Sequence, residues 1–400
     1  MELPQGIIVK GADSKQHVLK LLANIYGQKQ AGRVWNAFLV EKLREIGFTP
    51  SLVDDCVFYC GDIIFIIYVD DGIFLGPSDD AISGAINELM NLNLDIEDQG
   101  HPADDVGVAI KRLHDGSLEL SQRALIDTII NDAKLDDAKV KRVPAKVKEN
   151  LHAHLDKPPY ALEMSYRSAI GKLNYVGQTS RPEIMYAVHQ LAKYSSNPRE
   201  PHGEALLYLI RYLKLTRDIG LHFSPNSNRG FDCYADADFA GNWNKALAPY
   251  DPSTAKSRSG WIVFYAGCPV IWASKLQSMV ALSTTEAEYI ALSQALRDVL
   301  PIMFLIQEIK EKGFQVIANI PHVYCKAFED NSGALKLAQL PKLRPRTKHI
   351  NTCFHHFREH VRNGLIKIYP IGTKDQIADV LTKAIPQNDL QRHRKAISGV

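Results

Sequence analysis

Apolar residues recur at helical spacing through residues 18–48, interleaved with basic side chains, and predict a helix that follows a short strand. From Cys56 to Leu75 the pattern turns to β. Val57-Phe58-Tyr59 and the run Ile63 to Val69 are almost wholly apolar. They break at Asp70-Asp71-Gly72 and resume at Ile73-Phe74-Leu75. Apolar runs around an Asp-Gly step predict a hairpin. Residues 81–94 pattern as a helix, 106–122 as two strands around Asp115-Gly116, and 123–135 as another helix. The stretch 140–160, with Pro144 and Pro158-Pro159 among several lysines, has no period and predicts a linker or extended arm.

Residues 161–222 return to helical spacing, carried by Leu173, Val176, Ile184, Val188, Leu191, Leu206, Leu209, Ile210 and Leu213. A polar Asn/Ser-rich gap at 224–229 follows and predicts the main domain boundary. Beyond it the pattern predicts strands at 231–239, 260–266 and 269–274, a long helix at 283–312 and a strand at 322–329. Helices at 332–340 and 350–363, a strand at 365–371 and a helix at 376–384 complete the chain. That order predicts a three-layer α/β domain on a mixed sheet.

Composition adds bounds rather than identity. Four hundred residues, 46% hydrophobic and 23% charged, suit two or three domains of roughly 100–200 residues each. No run of about 18 uncharged apolar residues appears, so no membrane-spanning helix is expected. The opening Met-Glu-Leu-Pro-Gln-Gly lacks a basic head and apolar stretch, so no signal peptide is expected either. Six cysteines without metal-ligand spacing fit a reduced cytoplasmic or nuclear setting, and Cys56 and Cys60 lack partners for a zinc site. The net charge of +2 is neutral on the question of a polyanionic partner. The charge is unevenly placed, however. Lys342, Arg344, Arg346, Lys348 and His349 crowd one stretch, which Pro341 and Pro345 keep out of a helix. Such a loop can pair with phosphates or simply stay solvated.

Four carboxylates change the picture. Asp236 lies within the apolar strand 231–239, where propensity disfavours Asp. Glu288 lies one turn into the long helix, Asp330 ends a strand, and Asp379 opens the last predicted helix. A lone charge in apolar sequence is costly. Four acids gathered at one sheet edge would repel unless cations neutralised them, and hard oxygen donors suit Mg²⁺ or Mn²⁺. Ser283-Thr284-Thr285-Glu286 matches a capping box, in which Glu286 reaches back to the Ser283 N–H. Glu288, sharing a face with Ala291, Leu292 and Ala295, is then the better ligand. Asp236 and Asp238 are not separable by pattern.

The segments 234–241 (YADADFAG), 283–292 (STTEAEYIAL), 329–334 (EDNSGA), 345–350 (PRTKHI) and 376–383 (QIADVLTK) together resemble the ribonuclease H domain of copia-type retrotransposons. The resemblance implies a metal set of Asp236, Glu288, Asp330 and Asp379, with Asp236 preferred over Asp238 and two bound ions. It supplies no catalytic His, because Ile371-Gly372-Thr373-Lys374 stands before the last carboxylate and His349 is far upstream.

The front of the chain resembles the same family's reverse transcriptase. Residues 25–35 (IYGQKQAGRVW), Tyr68-Val69-Asp70-Asp71, 106–112 (VGVAIKR) with Leu120-Ser121-Gln122, 181–188 (RPEIMYAV) and 211–216 (RYLKLT) carry it. The resemblance implies that Asp70 and Asp71 are catalytic metal ligands, although Asp-Asp-Gly is also ordinary turn chemistry. It also implies that Gln28, Lys29 and Arg33 contact a nucleic-acid duplex, while the clustered charge makes Lys342, Arg344, Arg346 and Lys348 the expected phosphate contacts. Gly32 and Gln28 stand where the family usually has Pro and Leu. No further Asp in a DVxxAFL-like context accompanies Asp70 and Asp71, so polymerisation by this chain alone is not expected.

The organisation expected is therefore α/β: a partial fingers and palm at 1–140, a linker and helical thumb or connection at 141–224, and a ribonuclease H domain at 225–400 with a mixed five-stranded sheet. The expected activity is metal-dependent cleavage of RNA in RNA–DNA hybrids. The expected partners are nucleic acid and the remainder of a Pol polyprotein, with no membrane, in cytoplasmic virus-like particles or the nucleus. The alternatives are a catalytically silent relic and a non-catalytic nucleic-acid-binding module. An integrase-type nuclease would lack an acid on the first long helix, which Glu288 supplies.

Overall fold

In the computed structural model, residues 20–399 are described apart from 22, 23, 26, 93, 95, 103, 106, 317–321 and 341–351. The chain divides into two compact units, Met1–Gly100 and His101–Val400.

The first unit holds helix α1 (Ala31–Glu45), strands β1 (Thr49–Pro50), β2 (Val57–Cys60), β3 (Ile63–Tyr68) and β4 (Asp71–Leu75), and helix α2 (Asp79–Met90). The strands form one antiparallel sheet in chain order. Alternation sends Phe65 and Ile67 to one face, where they meet Leu39 and Leu43 of α1 and Leu89 of α2. The hairpin turn is Val69-Asp70 rather than the expected Asp-Gly step, because Tyr68 pairs with Asp71 and Ile67 with Gly72. Gly72 is required for a different reason. An added Cβ would lie 2.5 Å from the Phe65 ring, which already stacks on Phe74.

The second unit opens with β5 (Asp104–Asp105), β6 (Val108–Arg112) and β7 (Leu118–Ser121). Helices α3 (Arg123–Asp132), α4 (Tyr166–Thr179), α5 (Met185–Ala192) and α6 (Glu200–Leu215) follow. Strand β8 (Leu221–Phe223), which begins inside the stretch 161–222 expected to be helical, pairs with β7. Residues 140–160 form no helix or strand, as the pattern predicts. They are tied along α5 and α6, for example by the Tyr194 hydroxyl donating to Leu151 O at 2.8 Å and the Lys141 N–H donating to Arg211 O at 3.2 Å.

The rest of the unit is built on β9 (Phe231–Asp238), β10 (Arg258–Tyr265), β11 (Cys268–Leu276), α7 (Thr284–Glu311), β12 (Cys325–Glu329), α8 (Ser332–Gln339), α9 (Arg358–Arg362), β13 (Ile366–Pro370), α10 (Asp379–Thr382) and α11 (Gln387–Ser398). The five strands make one mixed sheet in the order β11-β10-β9-β12-β13. The first three are antiparallel neighbours, and β12 runs parallel to both β9 and β13. One face carries Cys233, Ala235 and Ala327, packed under Ala291, Ala295 and Leu296 of α7. The other carries Ile262 and Phe264, packed with Leu173, Val188 and Leu209 from the preceding helices and Val380 and Leu381 of α10.

That second core makes the organisation differ from a boundary at 224. Helices α4 to α6 form the layer that covers the sheet, and within the second unit they share its hydrophobic centre. Helix α7 is long and apolar enough, by length and composition, to cross a membrane. More than half of its most apolar window is buried, and the faces just described show it spent on the sheet.

Candidate active site

The register of the central strands sets the site. Asp236 pairs with Gly260 of β10, and Phe328 of β12 pairs in parallel with Tyr234. Asp330, two residues beyond Phe328, therefore arrives level with Asp236 at the end of β9. Glu288 reaches the same place from α7. Ser283 caps that helix, its hydroxyl accepting from the Glu286 N–H at 3.1 Å. The Glu286 carboxylate is buried and accepts from the Leu282 N–H at 2.7 Å, one residue short of the expected Ser283 partner. Asn331 caps α8, accepting from the N–H groups of Gly333 and Ala334. Gly333 lets the two helix starts meet, since a Cβ there would lie 2.4 Å from Thr285 Oγ1.

Asp236, Glu288 and Asp330 each offer an oxygen, and these atoms all lie within 4.8 Å of one another. Asp238 is outside the group, and its carboxylate is wrapped by the turn at Gly241, where an added Cβ would overlap it. Asp379 lies beside the group on α10. The Lys383 ammonium is 2.7 Å from Asp379 Oδ1 and 3.9 Å from Asp236 Oδ2, and the Thr382 hydroxyl donates to Asp236 Oδ2. Gly260 makes this approach feasible. A Cβ there would lie 2.7 Å from both Leu381 Cβ and Thr382 Cγ2.

The electrostatics follow from burial and crowding. Burial, then the charges of Asp236, Glu329 and Asp330, push Glu288 up to about 11, against one relieving hydrogen bond from the Ala237 N–H. Burial and the Asp236 charge push Asp379 up to about 7, against Lys383. Asp236 is also raised, by burial first and Asp330 next, against Lys383 and Thr382. Burial would lower Lys383, but Asp236 and Asp379 hold it above its ordinary value. The buried Glu288 Oε2 accepts no hydrogen bond. A cluster of hard oxygen donors, one of whose carboxylates keeps a buried oxygen without a hydrogen-bond donor among the described residues, fits a divalent cation.

The other acidic pair has a different setting. Asp70 and Asp71 are exposed at the β3–β4 turn. Val69 adopts φ +59°, a left-handed backbone that a β-branched residue rarely takes, and Trp35 Nε1–H of α1 donates to its carbonyl at 3.0 Å. Among the described residues no third acid joins this pair at metal-binding distance.

Comparison with known proteins places these two regions in one lineage. A family model described as reverse transcriptase (RNA-dependent DNA polymerase) matches residues 1–147. The retrovirus-related Pol polyprotein from transposon RE2 of Arabidopsis thaliana is 31% identical over 402 residues, covering 99% of this chain. That from transposon TNT 1-94 of Nicotiana tabacum is 30% identical over 402 residues, covering 98%. The chain belongs to the copia-type retrotransposon Pol family. It spans 26% and 29% of the length of those two relatives, so it corresponds to a fragment of Pol, with the reverse transcriptase match at its front. Among solved structures, ribonuclease H1 from Halobacterium salinarum NRC-1 matches 41% of this chain and 98% of its own, at 16% identity and a TM-score of 0.23.

Within this Pol fragment the remaining expected contacts divide in two. Lys29 and Arg33 are exposed at the start of α1, while the Gln28 side chain accepts from the Ile25 N–H at 3.3 Å. Lys342, Arg344, Arg346 and Lys348 lie outside the described residues. Sequence reasoning missed Glu329, Lys383 and Thr382. Glu329 is buried, accepts from the Asn331 N–H at 3.0 Å, and is pushed up to about 8 by burial. The alternation of Cys325, Ala327 and Glu329 along β12 was the signal that could have found it. The segment RPEIMYAV also proves structural at its start. Arg181 is buried, bonded to Glu183 at 2.6 Å and to Thr216 O at 2.8 Å, and so pins the end of α4 to the end of α6.

Proposed function

We propose that this Pol fragment is a divalent-metal-dependent ribonuclease H that hydrolyses the RNA strand of RNA–DNA hybrids. One observation carries the reading: three carboxylates from β9, α7 and the end of β12 bring oxygens within 4.8 Å of one another, and one of them, Glu288, keeps a buried oxygen with no donor among the described residues. Asp236, Glu288 and Asp330 would hold Mg²⁺ or Mn²⁺, with Asp379 as the ligand toward a second ion. When bound, such ions supply a nucleophile at neutral pH and charge stabilisation at the phosphodiester. The residues themselves orient the site. Thr382 fixes one oxygen of Asp236, the Ala237 N–H holds Glu288, and Lys383 holds Asp379. Choice of RNA over DNA would rest on the 2′-hydroxyl and the shape of the hybrid groove. The exposed Lys29 and Arg33 are the proposed duplex contacts of the reverse transcriptase portion. With no third carboxylate beside Asp70 and Asp71 among the described residues, polymerisation is not assigned to them.

The test is cleavage of an end-labelled RNA–DNA hybrid in Mg²⁺ by the full chain and by Asp236→Asn. The expected result is metal-dependent cutting of the RNA strand, lost below detection in the variant. A folded wild-type chain that cuts neither strand would overturn the enzyme and leave a non-catalytic nucleic-acid-binding module.

A further inference from the structure

Four acids reach the end of β9, but only three of them form a group close enough to share one cation. Asp236, Glu288 and Asp330 bring oxygens within 4.8 Å of one another, and Asp379 is not in that set. Its partner is the Lys383 ammonium, 2.7 Å from Oδ1 and only 3.9 Å from Asp236 Oδ2. The position is built into the backbone. Asp379 and Lys383 are the two ends of the single turn α10, where the Lys383 N–H closes the turn on Asp379 O at 3.2 Å. The turn ends there, with Lys383 extended at φ −147° and ψ 162°. Gly260, opposite Asp236, admits the turn to the sheet surface.

A cation drawn to Asp379 Oδ1 and Asp236 Oδ2 would compete with this ammonium for them. Oxygen ligands hold Mg²⁺ at about 2.1 Å, so both positive charges would crowd the same two carboxylates. Lys383 is attached by a flexible stem, and its side chain is 40% exposed, so it has solvent to move into.

We propose that Lys383 is an internal cation standing in the second ion's place. In the absence of nucleic acid the chain then binds one divalent ion, on Asp236, Glu288 and Asp330. A second ion gains Asp379 only when Lys383 leaves it. Lys383 is thus a positioning residue that sets the stoichiometry of the metal centre. The inference rests on the cation-site reading above but not on hydrolysis.

The experiment is Mn²⁺ binding to the full chain without nucleic acid, by titration calorimetry and by electron paramagnetic resonance of the bound ion. Wild type and Lys383→Arg are expected to take one ion. Lys383→Met is expected to take two, the second bound about tenfold or more tighter than any second ion in wild type. Asp379→Asn gives an independent check on a variant that keeps Lys383. Its single ion should bind as in wild type, because Asp379 is not a ligand in the free state. One ion in Lys383→Met with wild-type affinity would overturn the role of Lys383, as would about tenfold weaker binding of the first ion in Asp379→Asn. No Mn²⁺ bound by folded wild type would overturn the cation site as well.

Discussion

Two strand ends of this molecule carry acids, and their surroundings could hardly differ more. Asp70 and Asp71 stand in solvent at the tip of the β3–β4 hairpin, beside the Trp35 bond to the Val69 carbonyl. Asp236, Glu288 and Asp379 are buried at the end of β9, where burial first and then neighbouring charge push Glu288 up to about 11. An exposed acid costs little to keep, so its presence says little about chemistry. A buried one without a donor lowers the stability of the fold unless something else neutralises it. A third site shows what internal neutralisation looks like: Glu183 is as buried as Glu288, but it receives Arg181 and the Tyr212 hydroxyl.

The largest stability effect should come from breaking that internal pair. Arg181→Met would leave Glu183 buried and uncompensated, at a cost of about 3–5 kcal/mol in urea unfolding. A loss below about 1 kcal/mol would mean that burial alone does not distinguish the sites. Next is Gly260→Ala, whose added methyl must displace Leu381 and Thr382. We expect about 1–3 kcal/mol of destabilisation together with weakened Mn²⁺ binding, because α10 would be lifted from Asp236. Full Mn²⁺ affinity in that variant would separate α10 from the metal centre. The smallest effect belongs to the hairpin. Asp70→Asn and Asp71→Asn should each change stability by no more than about 0.5 kcal/mol and leave hybrid cleavage unchanged. A larger shift would show that the exposed pair carries an interaction of its own.

Much of the α/β unit was legible because its strands and its long helix follow their own periods. The strand 231–239 appears as β9, and the helix 283–312 as α7. Where the expectation differs, local pattern was overruled by contacts distant in sequence. Leu221–Phe223 is too short to show an alternation, and its pairing with Leu118, Glu119 and Leu120 makes it a strand. Helix α11 has few apolar positions, and its existence rests on Leu390 and Ile397 entering the second core. The helix expected at 376–384 shrinks to one turn, because the backbone is extended at Gln376, whose side chain is anchored to Ala235 O at 2.9 Å, and again at Lys383.

The candidate site was legible to a similar extent. Asp236, Glu288 and Asp330 announced themselves as charges in apolar sequence, and the structure brings them together. Asp379 was equally visible, but its engagement by Lys383 was not, since a Lys at a turn end looks like any solvated residue. Glu329 was overlooked because its neighbour Asp330 satisfied the motif first.

The most direct measurement is the melting temperature of the full chain against pH, in chelator and in saturating Mg²⁺. Burial and mutual repulsion raise Glu288 to about 11, Glu329 to about 8 and Asp379 to about 7. In the unfolded chain these groups ionise near pH 4. Between those limits the folded state holds more protons, so stability must fall as pH rises. A cation binds the ionised form and should offset that fall. In chelator the melting temperature should drop from about pH 5 to about pH 8, and Mg²⁺ should raise it far more at the upper pH than at the lower. A melting temperature indifferent to Mg²⁺ across that range would contradict the reading of these buried carboxylates as a cation site.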